Sequence, residues 1–273
     1  MQYFNQSALK GALWGALGGN YFSSYPHSQL FLNDDFQNIS DGLNILFLSL
    51  KNISNNDIFS VNDWLYSLES HGVYFIDLNL EKRAIALIPL ILYCYENPLK
   101  LATYLQEIKE KLLIDNLREE SIFDLMEIFR LVLTKKDHLN WQTLINSDRK
   151  QLTTLCSITY TNNNIKAVEK QIKELYNPQE IFIYQAIYSF ISLPNYVEIS
   201  LLRSTCFEHQ KQLTAIVTGL LLGLNNGYHS LPLSWRKYLQ LIPLIREKNI
   251  DQLSQNFVDK WQGKYIKNPL LQT

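Results

Sequence analysis

Residues 208–235 read EHQKQLTAIVTGLLLGLNNGYHSLPLSW, and the reading of this stretch decides the fold. Leu213, Ile216, Val217, Leu220, Leu221 and Leu224 recur at the i, i+3, i+4, i+7 spacing of one buried helix stripe. Beside them Ala215, Gly219 and Gly223 form a second column at steps of four. Each glycine inside a helix costs about 1 kcal/mol relative to alanine. The usual return is a groove in which another backbone lies very close. Asn226-Gly227 then ends the helix, because both residues tolerate the left-handed conformation that a helix C-terminus favours. The turn LPLSW opens the next helix.

A matching column lies at the other end of the chain. Residues 3–19 read as a helix with small residues at Ala8, Gly11 or Ala12, Gly15 and Gly18, closed by Gly18-Gly19-Asn20. Two glycine-striped helices predict two segments in close contact within the core. Between them the helical periods cover residues 40–52, 60–70, 81–95, 98–113, 119–134, 139–157, 165–176, 178–192 and 195–206, with final helices over 233–247 and 250–261. Ser60 or Asn62, Asn97-Pro98 and Asn177-Pro178 supply start signals. The run AIALIPLILYC is apolar on all sides and predicts a central buried helix, with Pro89 inside it. Residues 21–39 carry no clear period and read as a loop. No strand and no internal repeat emerges, so the expectation is one all-α domain over residues 1–273.

Composition narrows the function classes. Hydrophobic residues make up 47% of the 273 and charged residues 19%, enough for a large core. A formal net charge of −1 argues against nucleic acid as a bulk electrostatic partner. Cys94, Cys156 and Cys206 are odd in number and widely spaced, which fits a reducing compartment and neither a zinc ribbon nor a disulfide framework. The apolar runs are too short to span a bilayer, and no signal peptide is read, so the expected location is the cytoplasm. His27, His71, His138, His209 and His229 are scattered without metal-ligand spacing. Sixteen tyrosines and five tryptophans lean toward a binding surface.

Four motifs in order resemble the ADP-ribosylglycohydrolase family. LKGALWGALGGN resembles the family opening G-A-L-L-G-x-x-x-G-D, with Gly11, Gly15 and Gly19 in place and Asn20 at its aspartate. SDGLNILFLSL resembles T-D-D-T-x-M-x-L-x-L, setting Ser40, Asp41, Gly42 and Leu43 on T-D-D-T. RAIALIPLILYC resembles A-A-M-R-x-A-P-L, with Ala86 on the arginine. The opening stretch resembles G-G-D-T-D-T followed by A-A-I-A-G-A-L-x-G, x-x-G, I-P and W. That register aligns Gly219, Gly223, Gly227, Leu231-Pro232 and Trp235 without a gap and puts the metal loop on residues 208–213.

The resemblance implies an orthogonal all-helical bundle. In the family, hydroxyl and carboxylate ligands from these two loops hold two magnesium or manganese ions that position ADP-ribose and water. Hard divalent ions need anionic oxygen ligands. At the corresponding positions Ser40 and Asp41 keep oxygen, whereas Gly42, Gln210, Gln212 and Leu213 keep no carboxylate. The register Asn33-Asp34-Asp35 is an alternative source of paired acids, but no apolar helix follows it and no late acids complete it. The expectation is a degenerate, metal-free pseudoenzyme without cofactor, binding an unidentified protein or a nucleotide-like ligand. An altered hydrolase of an ADP-ribosyl or related N-glycosidic bond, and a structural subunit of a larger complex, are the alternatives. The two glutamines are expected to hydrogen-bond backbone, or Asp41, across a narrowed cleft.

Overall fold

The computed structural model describes residues 5–24, 39–55, 58–114, 117, 119–134, 149–161, 164–247 and 249–264. The described elements, in order, are α1 (Gln6–Ser24), α2 (Asp41–Asn55), α3 (Val61–Ser70), α4 (Leu80–Tyr93), α5 (Pro98–Leu112), α6 (Glu119–Thr134), α7 (Lys150–Thr161), α8 (Ile165–Leu175), α9 (Ile181–Ser192), α10 (Val197–Ser204), α11 (Lys211–Asn226), α12 (Leu233–Leu241), α13 (Pro243–Glu247) and α14 (Ile250–Trp261). No strand occurs among the described residues, and none of the described helices is long and apolar enough to cross a membrane.

The two glycine columns meet. A Cβ added to Gly15 would lie 2.8 Å from the Gly219 carbonyl carbon, and one added to Gly219 would lie 2.6 Å from the Gly15 carbonyl carbon. Gly11 and Gly223 oppose one another in the same way, and Gly19 lies against the Ala215 backbone. Contact on both sides is therefore backbone to backbone, close enough for weak Cα–H···O interactions. Leu9, Leu13, Ala16, Leu17, Ile216, Leu220 and Leu224 continue the seam into one buried hydrophobic cluster.

This packing corrects the expected end of the first helix. α1 runs through Gly18-Gly19-Asn20 to Ser24. Neither Gly18 nor Gly19 has a positive φ, so the pair serves close approach and not chain reversal. Gly19 belongs to the seam, whereas a Cβ added to Gly18 would meet the Trp235 ring at 3.4 Å. Gly227, by contrast, does end α11, at φ 78°.

Local signals elsewhere had mixed outcomes. Ser60 and Asn97 accept from the backbone N–H of Asp63 and Lys100 and cap α3 and α5. Asn177-Pro178 instead opens a turn, closed by Glu180 N–H donating to the Asn177 carbonyl, and α9 begins only at Ile181. The expected 233–247 helix breaks at Ile242, whose backbone is extended. α4 continues through Pro89 with its surroundings fully buried. Near that proline Ser49 Oγ donates to the Ala86 carbonyl at 2.6 Å and accepts from Trp64 Nε1 at 2.9 Å, tying α2, α3 and α4 together. The expected loop at 25–38, the start of the expected 139–157 helix and the histidines at 27 and 138 lie outside the described residues.

Candidate functional site

The N-terminal ends of α2, α4 and α11 converge on one mouth, and most positions singled out by the sequence lie there. Ser40 Oγ accepts from the Leu43 backbone N–H at 3.3 Å and so caps α2. Asp41 occupies the first turn of that helix, where the aligned peptide dipoles favour an anion. Its carboxylate points outward, 79% exposed, and pairs with Lys82 Nζ at 3.0 Å. The next residue, Gly42, is buried, and a Cβ there would meet Leu213 Cδ2 at 2.7 Å. Leu213 thus fills the space that a longer side chain at position 42 would take.

Gln210 sits at the start of α11 in the left-handed conformation, φ 48° and ψ 35°, without a side-chain cap. Such a backbone costs a non-glycine residue about 1–2 kcal/mol. Its side-chain amide Nε2 donates to Glu81 Oε1 at 3.3 Å, across to α4. This corrects the expected partner: the glutamine reaches a carboxylate on α4, and neither backbone nor Asp41. Gln212 is exposed, and its side chain makes no hydrogen bond among the described residues.

Two mapped positions turn inward. Ala86 is fully buried. Asn20 is also fully buried, and neither its Oδ1 nor its Nδ2 has a partner among the described residues. An unsatisfied buried amide costs about 1–3 kcal/mol. Asn20 is adjacent to Gly19, which touches Ala215 and Ile216 in the first turns of α11, so it lies just beneath the mouth.

The loop before α11 is held by Glu169, a largely buried acid on α8 that no sequence motif singles out. Its carboxylate accepts from the backbone N–H of Glu208 at 3.2 Å and of His209 at 3.4 Å, and pairs with Lys173 at 2.8 Å. His209 Nε2 lies 3.1 Å from the Pro178 carbonyl, which only accepts, so Nε2 carries the proton. No carboxylate orients the ring among the described contacts, and the histidine braces the loop instead of serving as a general base. Glu81, Lys82 and Glu169 are the members of the site that sequence reasoning missed. Their role comes from contacts spanning 39 to 129 residues of chain, which no local pattern encodes.

The two ions that the fold family uses do not fit these residues. One carboxylate remains at the mapped positions and it is ion-paired to Lys82; an amide and a methyl-rich side chain stand at two others. Among the described residues no group of three or more His, Cys, Asp or Glu side chains is placed to hold a metal. Asp34 and Asp35, the alternative acids, lie outside the described residues.

A further buried charge makes none of the contacts at the mouth. Asp124 on α6 is fully buried, accepts from Tyr184 Oη at 2.9 Å, and has Arg149 Nη1 3.5 Å from its Oδ1. That Arg149 distance gives Oδ1 a charge but no well-formed hydrogen bond. Burial raises the Asp124 carboxyl to about 6, against the opposing pull of Tyr184 and Arg149. Burial also raises the Cys94 thiol to about 12 and the Cys156 thiol to about 11, so neither is a nucleophile at neutral pH.

No family model matches the sequence, and no curated protein matches it. A solved structure described as an "ADP-ribosylglycohydrolase-related protein complex" superposes with a TM-score of 0.62 at 14% identity, over 94% of this chain and 98% of that one. At that identity the likeness speaks to fold alone. The chain has the all-α fold of the ADP-ribosylglycohydrolase type.

Proposed function

We propose that this protein is a pseudoenzyme: one domain, residues 1–273, that keeps the ADP-ribosylglycohydrolase-like scaffold and acts by binding instead of hydrolysis. The observation that carries the reading is the state of Asp41. It is the one acid left at the mapped positions, and its carboxylate turns outward to Lys82, while Leu213 fills the space beside Gly42. Asn20, Ser40, Ala86, Gln210 and Gln212 complete the set of degenerate positions on this reading. A cleft without ions has no reason to keep several carboxylates together, since they would repel one another and raise each other's pKa.

The primary occupant on this account is a protein partner, with a nucleotide-like ligand as the alternative. Ile58, Tyr66, Tyr74, Leu99, Leu113 and Tyr196 are large side chains exposed over more than half their surface, and they supply apolar anchors. Six tyrosines, Tyr21, Tyr95, Tyr184 and Tyr188 among them, are spent in the core. The similar solved structure is titled a complex, which favours a second reading, that of an assembly subunit. Free cysteines at 94, 156 and 206 suit a reducing, cytoplasmic setting.

Calorimetric titration with ADP-ribose, with and without manganese, beside a turnover assay on ADP-ribosylated protein, tests the proposal. The expected result is neither saturable heat nor release of ADP-ribose. Saturable binding without turnover, abolished by Asp41→Ala, would select the nucleotide-like ligand. Metal-dependent release would establish the altered hydrolase in its place.

A further inference from the structure

A cavity of about 400 Å³ lies between α2 and α14, lined from α2 by residues two to four turns past the mouth. The size is within the roughly 300–1,000 Å³ of small-molecule sites. Its apolar patch consists of Phe47 and Leu48 from α2 and Leu253 from α14. Its polar lining is dominated by carboxamides: Asn55, Asn249, Gln252 and Asn256.

Internal hydrogen bonds use only part of this amide set. Asn249 Oδ1 accepts from the Gln252 backbone N–H at 3.3 Å, and Gln252 Nε2 donates to Asn256 Oδ1. Among the described residues, this leaves the Asn249 and Asn256 amide N–H groups, the Gln252 amide oxygen and both ends of Asn55 open. His71 adds to them. Its Nδ1 lies 2.8 Å from the Ser67 carbonyl, so Nδ1 carries the proton and Nε2 of the neutral ring is an acceptor. The charged liners, Lys51 and Glu247, are opposite in sign.

We propose that this cavity binds a neutral, polyhydroxylated ring, a mono- or disaccharide. A hydroxyl group donates and accepts at once, which is what a lining of open amide N–H and C=O groups requires. The half-buried Leu48, with the little of Phe47 and Leu253 that the core leaves accessible, offers an apolar contact for the C–H side of such a ring. Lys51 and Glu247 are opposite in sign, so the lining carries no net charge to favour an anion or a cation, and a wholly apolar ligand would leave the amides unsatisfied. The inference stands independently of the pseudoenzyme reading, because no mapped mouth position lines the cavity.

The test is saturation-transfer NMR on the full chain with D-glucose, D-ribose and trehalose, and with glucose 6-phosphate and glucosamine as charged controls. Transfer to the ring protons of at least one neutral sugar is expected, with Asn55→Ala/Asn256→Ala weakening it about tenfold or more through lost hydrogen bonds. Leu48→Trp is a second variant, at a half-buried position, which blocks the cavity without touching the amides and should abolish transfer. Absence of transfer from every neutral sugar, transfer from the phosphorylated one alone, or unchanged transfer in folded variants would overturn the proposal.

Discussion

The seam between α1 and α11 and the mouth at the starts of α2, α4 and α11 share one helix, α11, yet they obey different rules. At the seam, Gly11, Gly15, Gly219 and Gly223 oppose one another so closely that no side chain fits. At the mouth, Gly42, Gln210 and Leu213 make contacts that many other residue types could replace. The seam is constrained by hard-core sterics, which admit one answer, and the mouth by whatever chemistry is required of it. A scaffold of this kind can therefore tolerate change at its mouth, because nothing in the seam depends on the identity of Asp41 or Gln210.

The largest expected effect breaks the seam. Gly15→Val places methyl groups inside the Gly219 carbonyl and should cost about 3 kcal/mol or more, since overpacking against backbone leaves nothing flexible to move. Chemical denaturation measures it, and a midpoint equal to that of the parent would refute backbone-to-backbone contact.

The second effect separates buried charge from exposed charge. Asp124 has a folded carboxyl raised to about 6 from 3.8, so between those values the folded state holds more protons than the unfolded chain. Stability from this group therefore rises as pH falls through 6 toward 4, and the penalty is fully present above 6. It amounts to at most about 3 kcal/mol. Asp124→Asn, which can still accept from Tyr184, should remove that dependence, as urea melts at pH 5 and pH 8 would record. A variant with an unchanged pH dependence would place its origin elsewhere.

Asn20 connects the two regions. Because both polar atoms of its buried side chain lack partners among the described residues, Asn20→Leu should raise stability by about 1 kcal/mol. Thermal melts of the two proteins decide the sign, and a clear destabilisation would mean that the amide has a partner in solution. The smallest effect belongs to the mouth surface. Removing the exposed Asp41–Lys82 pair with Lys82→Ala should change stability by less than about 1 kcal/mol. A larger loss would make this ion pair part of the scaffold.

The sequence made the seam legible because a step of four in small residues is a local pattern with one geometric meaning. Ser60 and Asn97-Pro98 were legible for a related reason, as capping needs only three or four neighbouring residues. Gly18-Gly19-Asn20 reads as a stop until the partner helix is known; burial against α11 and Trp235 then overrides it. The mouth was legible only as a set of positions. That Gln210 would reach Glu81 on α4, that Leu213 would occupy the space beside Gly42, and that Glu169 would hold the loop are contacts set by tertiary placement. The amide-lined cavity was invisible for the same reason, its walls being drawn from residues 47–71 and 247–256.

The proposal turns on whether the mouth holds the pair of ions that the family resemblance implies. Crystals soaked in manganese and measured for anomalous scattering test it most directly. The expected result is no ordered manganese between Asp41 and Gln210, with Asp41 still paired to Lys82. Two anomalous peaks there, coordinated by Asp41 and separated by the roughly 3.5–4 Å of a two-metal centre, would contradict it.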